Sequence, residues 1–205
     1  EIPELEEYLP GCKPPLEAQL IDLCDEIAYN TADLDDAYNA GLITVRDAAQ
    51  AVDKFRELDE DAEMQYPGAS EYIRLKEIVR GLIDWLVSGL LEGTACAAQT
   101  IGDVEGVRHH PDRLACFTPE TAAGSAQLKR LLRAAVYESD ALVKARSESV
   151  GKIAALFGFF LAQPDRMPAP YLEKSAAEPI HRQVCDYIAG MTDGFFVKTC
   201  HQFGI

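Results

Sequence analysis

Basic residues are scarce in this chain. Lys and Arg number 19 against 34 Asp and Glu, a formal net charge of −15 over 205 residues. General nucleic-acid binding needs clustered Lys and Arg to neutralise phosphates, and docking on an anionic lipid surface needs the same, so the balance argues against both. It leaves room for a phosphorylated small molecule, because one bound cation inverts the field of a single pocket. Long apolar runs are also missing. A membrane-crossing helix needs roughly 18 consecutive apolar residues, and the longest candidate, Ile78 to Leu91, is interrupted by Arg80 and Asp84. No basic stretch followed by an apolar one opens the chain, so no signal peptide is visible. The six cysteines form no CxxC pair. They read as small reduced hydrophobes of a cytoplasmic protein, not as disulfide staples or a metal site. Rossmann and P-loop glycine patterns are absent, and so is any convincing strand. Ser125, Ser147 and Ser149 have no base arrangement beside them that would support nucleophilic catalysis. The chain opens on Glu1, not Met, which suggests a processed protein or a piece of a longer one.

What remains is helical patterning, and the expected fold class is all-α with many helices and no substantial sheet. Pro14 and Pro15 suit a helix start. From there Leu16, Leu20, Leu23, Cys24, Ile27, Thr31 and Leu34 recur at spacings of three and four, one apolar stripe that Gly41 is placed to end. Leu20, Leu23, Ile27 and Leu34 are expected to be buried. Thr44 and Asp47 form a capping-box pattern opening a helix to about Met64, and Tyr66-Pro67-Gly68 breaks it. Ser70 caps a third helix carrying Ile73, Ile78, Leu82, Ile83, Leu86 and Leu90, with Trp85 in its core. Gly102 to Asp112 reads as surface loop. Thr118-Pro119-Glu120 starts a helix continuing through Leu128, Leu132 and Val136. Another spans roughly Val143 to Ala162, its Phe157, Phe159 and Phe160 packing in a core or subunit interface. A last helix follows Pro179 and carries Val184, Tyr187, Met191 and Phe196.

Chemistry concentrates on the first helix. Setting Asp25 at 0° and advancing 100° per residue puts Tyr29 at about 40° and Asp33 at about 80°, while the apolar stripe centres near roughly 200°. The three residues therefore form one ridge opposite the core. Such a ridge is either a solvated acidic face or a pocket wall, with Asp25 on a hard or borderline cation and Tyr29 and Asp33 on a polar ligand.

The stretch LEAQLIDLCDEIAYNTADLDDAYNAGLI, residues 16–43, resembles the region around the final metal-binding aspartate of the bacterial deoxynucleoside triphosphate triphosphohydrolases, the dGTPase-like branch of the HD-domain phosphohydrolases. Tyr8-Leu9-Pro10-Gly11, Phe117-Thr118-Pro119-Glu120 with Leu128-Lys129-Arg130, and the stretch Val184 to Asp193 run the same way and in the same order. The resemblance thus covers most of the chain. It implies that Asp25 is the last aspartate of a His…His-Asp…Asp metal set, that Tyr29 packs on the deoxyribose, and that Asp33 hydrogen-bonds the sugar 3′-hydroxyl. Where the family has His before Asp33 and Arg after Met-Thr-Asp, this chain has Ala32 and Gly194.

The resemblance further implies a dNTP substrate, a divalent cation such as Mg or Mn, and a metal-activated water that attacks the α-phosphorus to release deoxynucleoside and triphosphate. All four histidines, His109, His110, His181 and His201, follow Asp25, so the upstream ligands are not in this chain. His109-His110-Pro111-Asp112 stands in the wrong order and reads as surface loop. Residues 1–41 are accordingly expected to be the last helix of an HD metal site, and 42–205 a C-terminal helical region of a homo-oligomeric enzyme. A single carboxylate does not hold a catalytic metal, so the chain alone is expected to bind none and to be inactive. Two alternatives stay open: a catalytically silent oligomerisation or regulatory module, and an HD phosphohydrolase with a different substrate. Lys129, Arg130 and Arg133 are a solvated helix face, a phosphate contact or an allosteric nucleotide site.

Overall fold

A computed structural model describes residues 6, 9, 11–173 and 178–205. It is all-α, with ten α-helices and no strand among the described residues. The chain divides into two compact units, Glu1–Glu138 and Ser139–Ile205. Residue 41, the boundary expected from sequence, lies inside the first of these units.

In the first unit, α1 (Leu16–Asn39) is the long amphipathic helix, and Gly41 follows it at φ +71°, a conformation that favours glycine. Ile27 and Leu34 are fully buried, whereas Leu20 and Leu23 are only partly buried against the core and Cys24 is exposed. Cys24 lies about 60° from the centre of the stripe, on its rim. α2 (Val45–Ala51) has the expected capping box, Thr44 with Asp47. The helix expected to run on to Met64 instead breaks at Val52 (φ −127°, ψ 109°), and α3 (Asp53–Gln65) starts anew. The break exchanges a helical bond for a tertiary one. The Asp53 N–H donates to Gln127 Oε1 at 3.1 Å, and Gln127 Nε2 returns a bond to the Asp53 carboxylate at 2.6 Å.

α4 (Glu71–Ala98), capped by Ser70, is the spine of the unit, with Leu75, Ile78, Leu82, Leu86 and Leu90 buried. Ile73 and Ile83 turn out to be exposed, and Trp85 is partly buried. The stretch read as loop contains a short helix, α5 (Val104–Arg108), because Asp103 accepts from the Gly106 N–H at 2.8 Å and caps it. α6 (Pro119–Leu132) starts at Thr118 as expected, but does not continue as α-helix to Val136; residues Arg133–Tyr137 form a π-turn. α1 and α3 pack on α4, and α6 packs on α1 and α4.

In the second unit Ser139 caps α7 (Asp140–Ala162), followed by α8 (Ala169–Glu173), α9 (Ile180–Ala189) and α10 (Asp193–Phe203). The single last helix expected after Pro179 is two helices: Gly190 ends α9, and Thr192 caps α10 by accepting from the Phe195 N–H. Leu156, Phe160, Val184 and Tyr187 form the core of this unit, with Phe157 and Phe159 partly buried against it.

Candidate functional site

The solvent face of α1 carries the site residues. Its core face is closed by Ile27, Thr31, Leu34 and Ala37, and the Thr31 hydroxyl is satisfied by donating to the Ile27 carbonyl at 2.8 Å. Asp25 and Tyr29 stand on the other side, both exposed, with no hydrogen-bond or ion-pair partner among the described residues. Asp33 is half-buried and accepts a hydrogen bond from the Tyr137 phenol. That carboxylate holds the Tyr137 hydroxyl above the usual phenol range, because losing the proton would set two anions together.

The neighbouring carboxylates are matched by cations from other elements. Asp22 meets Arg113 at 2.6 Å, Glu26 meets Lys129 at 2.6 Å and Ser125 at 3.3 Å, and Asp35 meets Lys76 at 2.6 Å. Asp25 and Tyr29 stay open between these paired carboxylates, and the exposed Asp36 further along the helix is likewise without an ion-pair partner among the described residues.

Two devices place these partners. Glycines on α4 let the 115–118 segment and α6 approach its backbone directly. The Thr118 N–H donates to the Gly89 carbonyl at 3.0 Å, and a Cβ on Gly93 would lie 2.5 Å from the Cys116 carbonyl oxygen. The second is Gln19, fully buried, whose Nε2 donates to the Pro14 carbonyl (2.8 Å) while Oε1 accepts from the N–H groups of Leu114 (2.8 Å) and Ala115 (3.3 Å).

The remaining motif residues lie elsewhere. Of Tyr8-Leu9-Pro10-Gly11, Tyr8 and Pro10 fall outside the described residues. The stretch Val184 to Asp193 belongs to the second unit, where Val184 and Tyr187 are buried and Asp186 pairs with Arg182 at 2.9 Å. Ala32 is exposed and Gly194 has open space beside it. His109 follows α5 and faces Glu105 at 3.4 Å, and His110 Nδ1 bonds the Asp112 backbone. No group of three or more His, Cys, Asp or Glu among the described residues is placed to hold a metal ion. The donor set present thus does not by itself fit a catalytic metal. Among the described residues no helix is long and apolar enough to cross a membrane.

Tyr137, Arg113 and Gln19 were not singled out from sequence. Tyr137 is reached only through the π-turn, which adds a residue that extrapolation at 100° per residue does not anticipate. Arg113 meets Asp22 of α1, and Gln19 of α1 meets Leu114, each across more than ninety residues, and nothing local marks either.

Residues 115–202 match the Phosphohydrolase-associated domain. A deoxyguanosinetriphosphate triphosphohydrolase-like protein of Geobacter sulfurreducens is 32% identical over 193 residues, 93% of this chain and 50% of the relative. Proteins of the same description from Azoarcus sp. (33% identical, 93% and 50% covered) and Leptospira interrogans (30%, 90% and 50%) align alike. The chain spans about half the length of these curated relatives. Over nine-tenths of its own length, then, this chain is a homologue of the deoxyguanosinetriphosphate triphosphohydrolase-like proteins.

Proposed function

We propose that this chain supplies one wall of the nucleotide site of a metal-dependent dNTP triphosphohydrolase, the activity that yields deoxynucleoside and triphosphate. The observation that carries the reading is the ridge on α1: Asp25 and Tyr29 exposed and unengaged, Asp33 beside them and bonded to Tyr137. Asp25 contributes one carboxylate to a divalent cation such as Mg or Mn, the other ligands lying outside this chain. Tyr29 packs on the deoxyribose, and Asp33 accepts from its 3′-hydroxyl, with Tyr137 holding the carboxylate in place. Lys129, one turn along on Glu26, is available to phosphate. The six cysteines are free thiols, in keeping with a cytoplasmic setting.

The test is a binding comparison of deoxyguanosine and guanosine, and a turnover assay in a protein that includes this chain and hydrolyses dNTPs. Asp25→Ala should abolish turnover. Tyr29→Ala should reduce discrimination against ribose, and Asp33→Ala should weaken sugar binding roughly 5- to 150-fold, the scale of one lost hydrogen bond of about 1–3 kcal/mol. Unchanged sugar discrimination in Tyr29→Ala reduces the ridge to a solvated acidic face. The chain alone is inactive on this reading, and triphosphate release by it, abolished by Asp25→Asn, would overturn that statement.

A second reading, an assembly module forming homo-oligomers, is favoured by α7. Val143, Val150 and Ile153 are exposed on it, and Gly151 and Gly158 have open space beside them. Apolar residues exposed together on one helix mark a surface that a partner can cover. Sedimentation of the wild type and of Ile153→Glu distinguishes this reading, since a monomeric wild type removes it.

A further inference from the structure

One cation beside the ridge has no role in the reading above. α1 presents its ligands in order along the axis. At about 1.5 Å per residue, Asp33 and Asp25 are roughly 12 Å apart, and Asp22 lies roughly 4.5 Å further toward the N-terminus. A nucleotide with its sugar on Tyr29 and Asp33, and phosphates reaching the cation at Asp25, therefore directs its outer phosphates toward Asp22. Arg113 stands there, its Nη2 at 2.6 Å from the Asp22 carboxylate and 3.4 Å from the Gln19 carbonyl.

The placement is fixed from below. The next two residues, Leu114 and Ala115, are buried and give their N–H groups to the Gln19 side chain. The guanidinium itself is open to solvent, with 47% of the side chain exposed. Buried backbone thus carries an accessible, preorganised cation.

We propose that Arg113 is a triphosphate-contacting residue, held on Asp22 until a polyphosphate replaces that carboxylate, and that Gln19 is its positioning residue. The proposal rests on Tyr29 and Asp33 being the sugar contacts, which sets the direction of the phosphates. The guanidinium fork matches phosphate oxygens in pairs. The pair it gives up is exposed, and such pairs are weak, so exchange of one anion for another costs little.

The experiment measures calorimetric binding of inorganic triphosphate with Mg²⁺, and of deoxyguanosine, to the dNTP-hydrolysing protein that includes this chain. Arg113→Gln should weaken triphosphate about tenfold, the scale of one charge-assisted hydrogen bond, and leave deoxyguanosine unchanged. Arg113→Lys, which keeps the charge and loses the fork, should fall between. Asp22→Asn should tighten triphosphate in the wild type but not in Arg113→Gln, a coupling that an ordinary surface ion pair does not produce. Gln19→Glu in its protonated form keeps the acceptor for both N–H groups and a donor to the Pro14 carbonyl, and should retain triphosphate binding at wild-type helix content in acidic buffer, whereas Gln19→Leu should lose it. The proposal is overturned if the wild type binds no triphosphate, if Arg113→Gln binds it as the wild type does, or if the Asp22→Asn gain persists without Arg113. Failure of the sugar reading looks different: Asp33→Ala leaves deoxyguanosine binding intact while triphosphate binding still depends on Arg113.

Discussion

Replacing Gln19 with Leu removes a buried polar junction while nearly keeping its volume. Two buried N–H groups, of Leu114 and Ala115, lose their acceptor, and the Pro14 carbonyl loses its donor. Each buried group left unsatisfied costs about 1–3 kcal/mol. The Ala115 contact is long at 3.3 Å and the Pro14 carbonyl is only part-buried, so the loss is worked as about 2–5 kcal/mol. With a urea slope of roughly 2 kcal/mol per M, that is a fall of about 1–2.5 M in the unfolding midpoint. Trp85 is the only tryptophan, belongs to the first unit and packs against its core. Its fluorescence therefore follows the unit that contains Gln19, apart from any separate unfolding of residues 139–205. A midpoint that falls by less than about 0.5 M at unchanged slope would mean that water replaces the side chain at Leu114 and Ala115, and the clamp would carry no weight.

Glycine substitutions should have opposite signs in the two units. Gly93→Ala should destabilise the first unit by about 1–3 kcal/mol, since its Cβ meets main chain at Cys116 to Thr118, which has little room to yield. Gly151→Ala on α7 should stabilise the second by about 0.5–1 kcal/mol, with open space around it and a helix-propensity gain; thermal unfolding measures both. Ultraviolet titration of the phenols should show Asp33→Asn lowering one tyrosine, because the Asp33 carboxylate keeps Tyr137 protonated. The folded state holds that proton more tightly than the unfolded chain, so the contact contributes below pH 10 and is lost as pH rises through the raised value. Thr118→Ala should cost about 1 kcal/mol by removing the cap of α6, and with it some of the order of Tyr137.

Local rules made much of this molecule readable. Caps at Thr44, Ser70 and Thr118 and the stop at Gly41 depend on residues a turn apart, and all appear where their spacing places them. The ridge of Asp25, Tyr29 and Asp33 is likewise a matter of periodicity in one helix. What escaped depends on distant partners. The break at Val52 needs Gln127, seventy-four residues from Asp53. Cys24 sits on the rim of the stripe, where the neighbouring helices and not the spacing decide burial. The split between α9 and α10 was available in Gly190 and Thr192, but the apolar pattern ran through both and hid it.

The π-turn at 133–137 makes this site sensitive to chain length in a way substitution does not test. Its closing bond runs from the Glu138 N–H to the Arg133 carbonyl at 2.9 Å, so one residue more than an α-turn is looped out. Deleting Ala134 would let α6 continue without interruption, and every later side chain would swing by about 100° around the axis. Tyr137 would then turn off Asp33 with its chemistry intact. An aligned relative with a one-residue gap here would share the motif letters and lack the contact. Register, more than residue identity, decides whether two such proteins share this corner of the site.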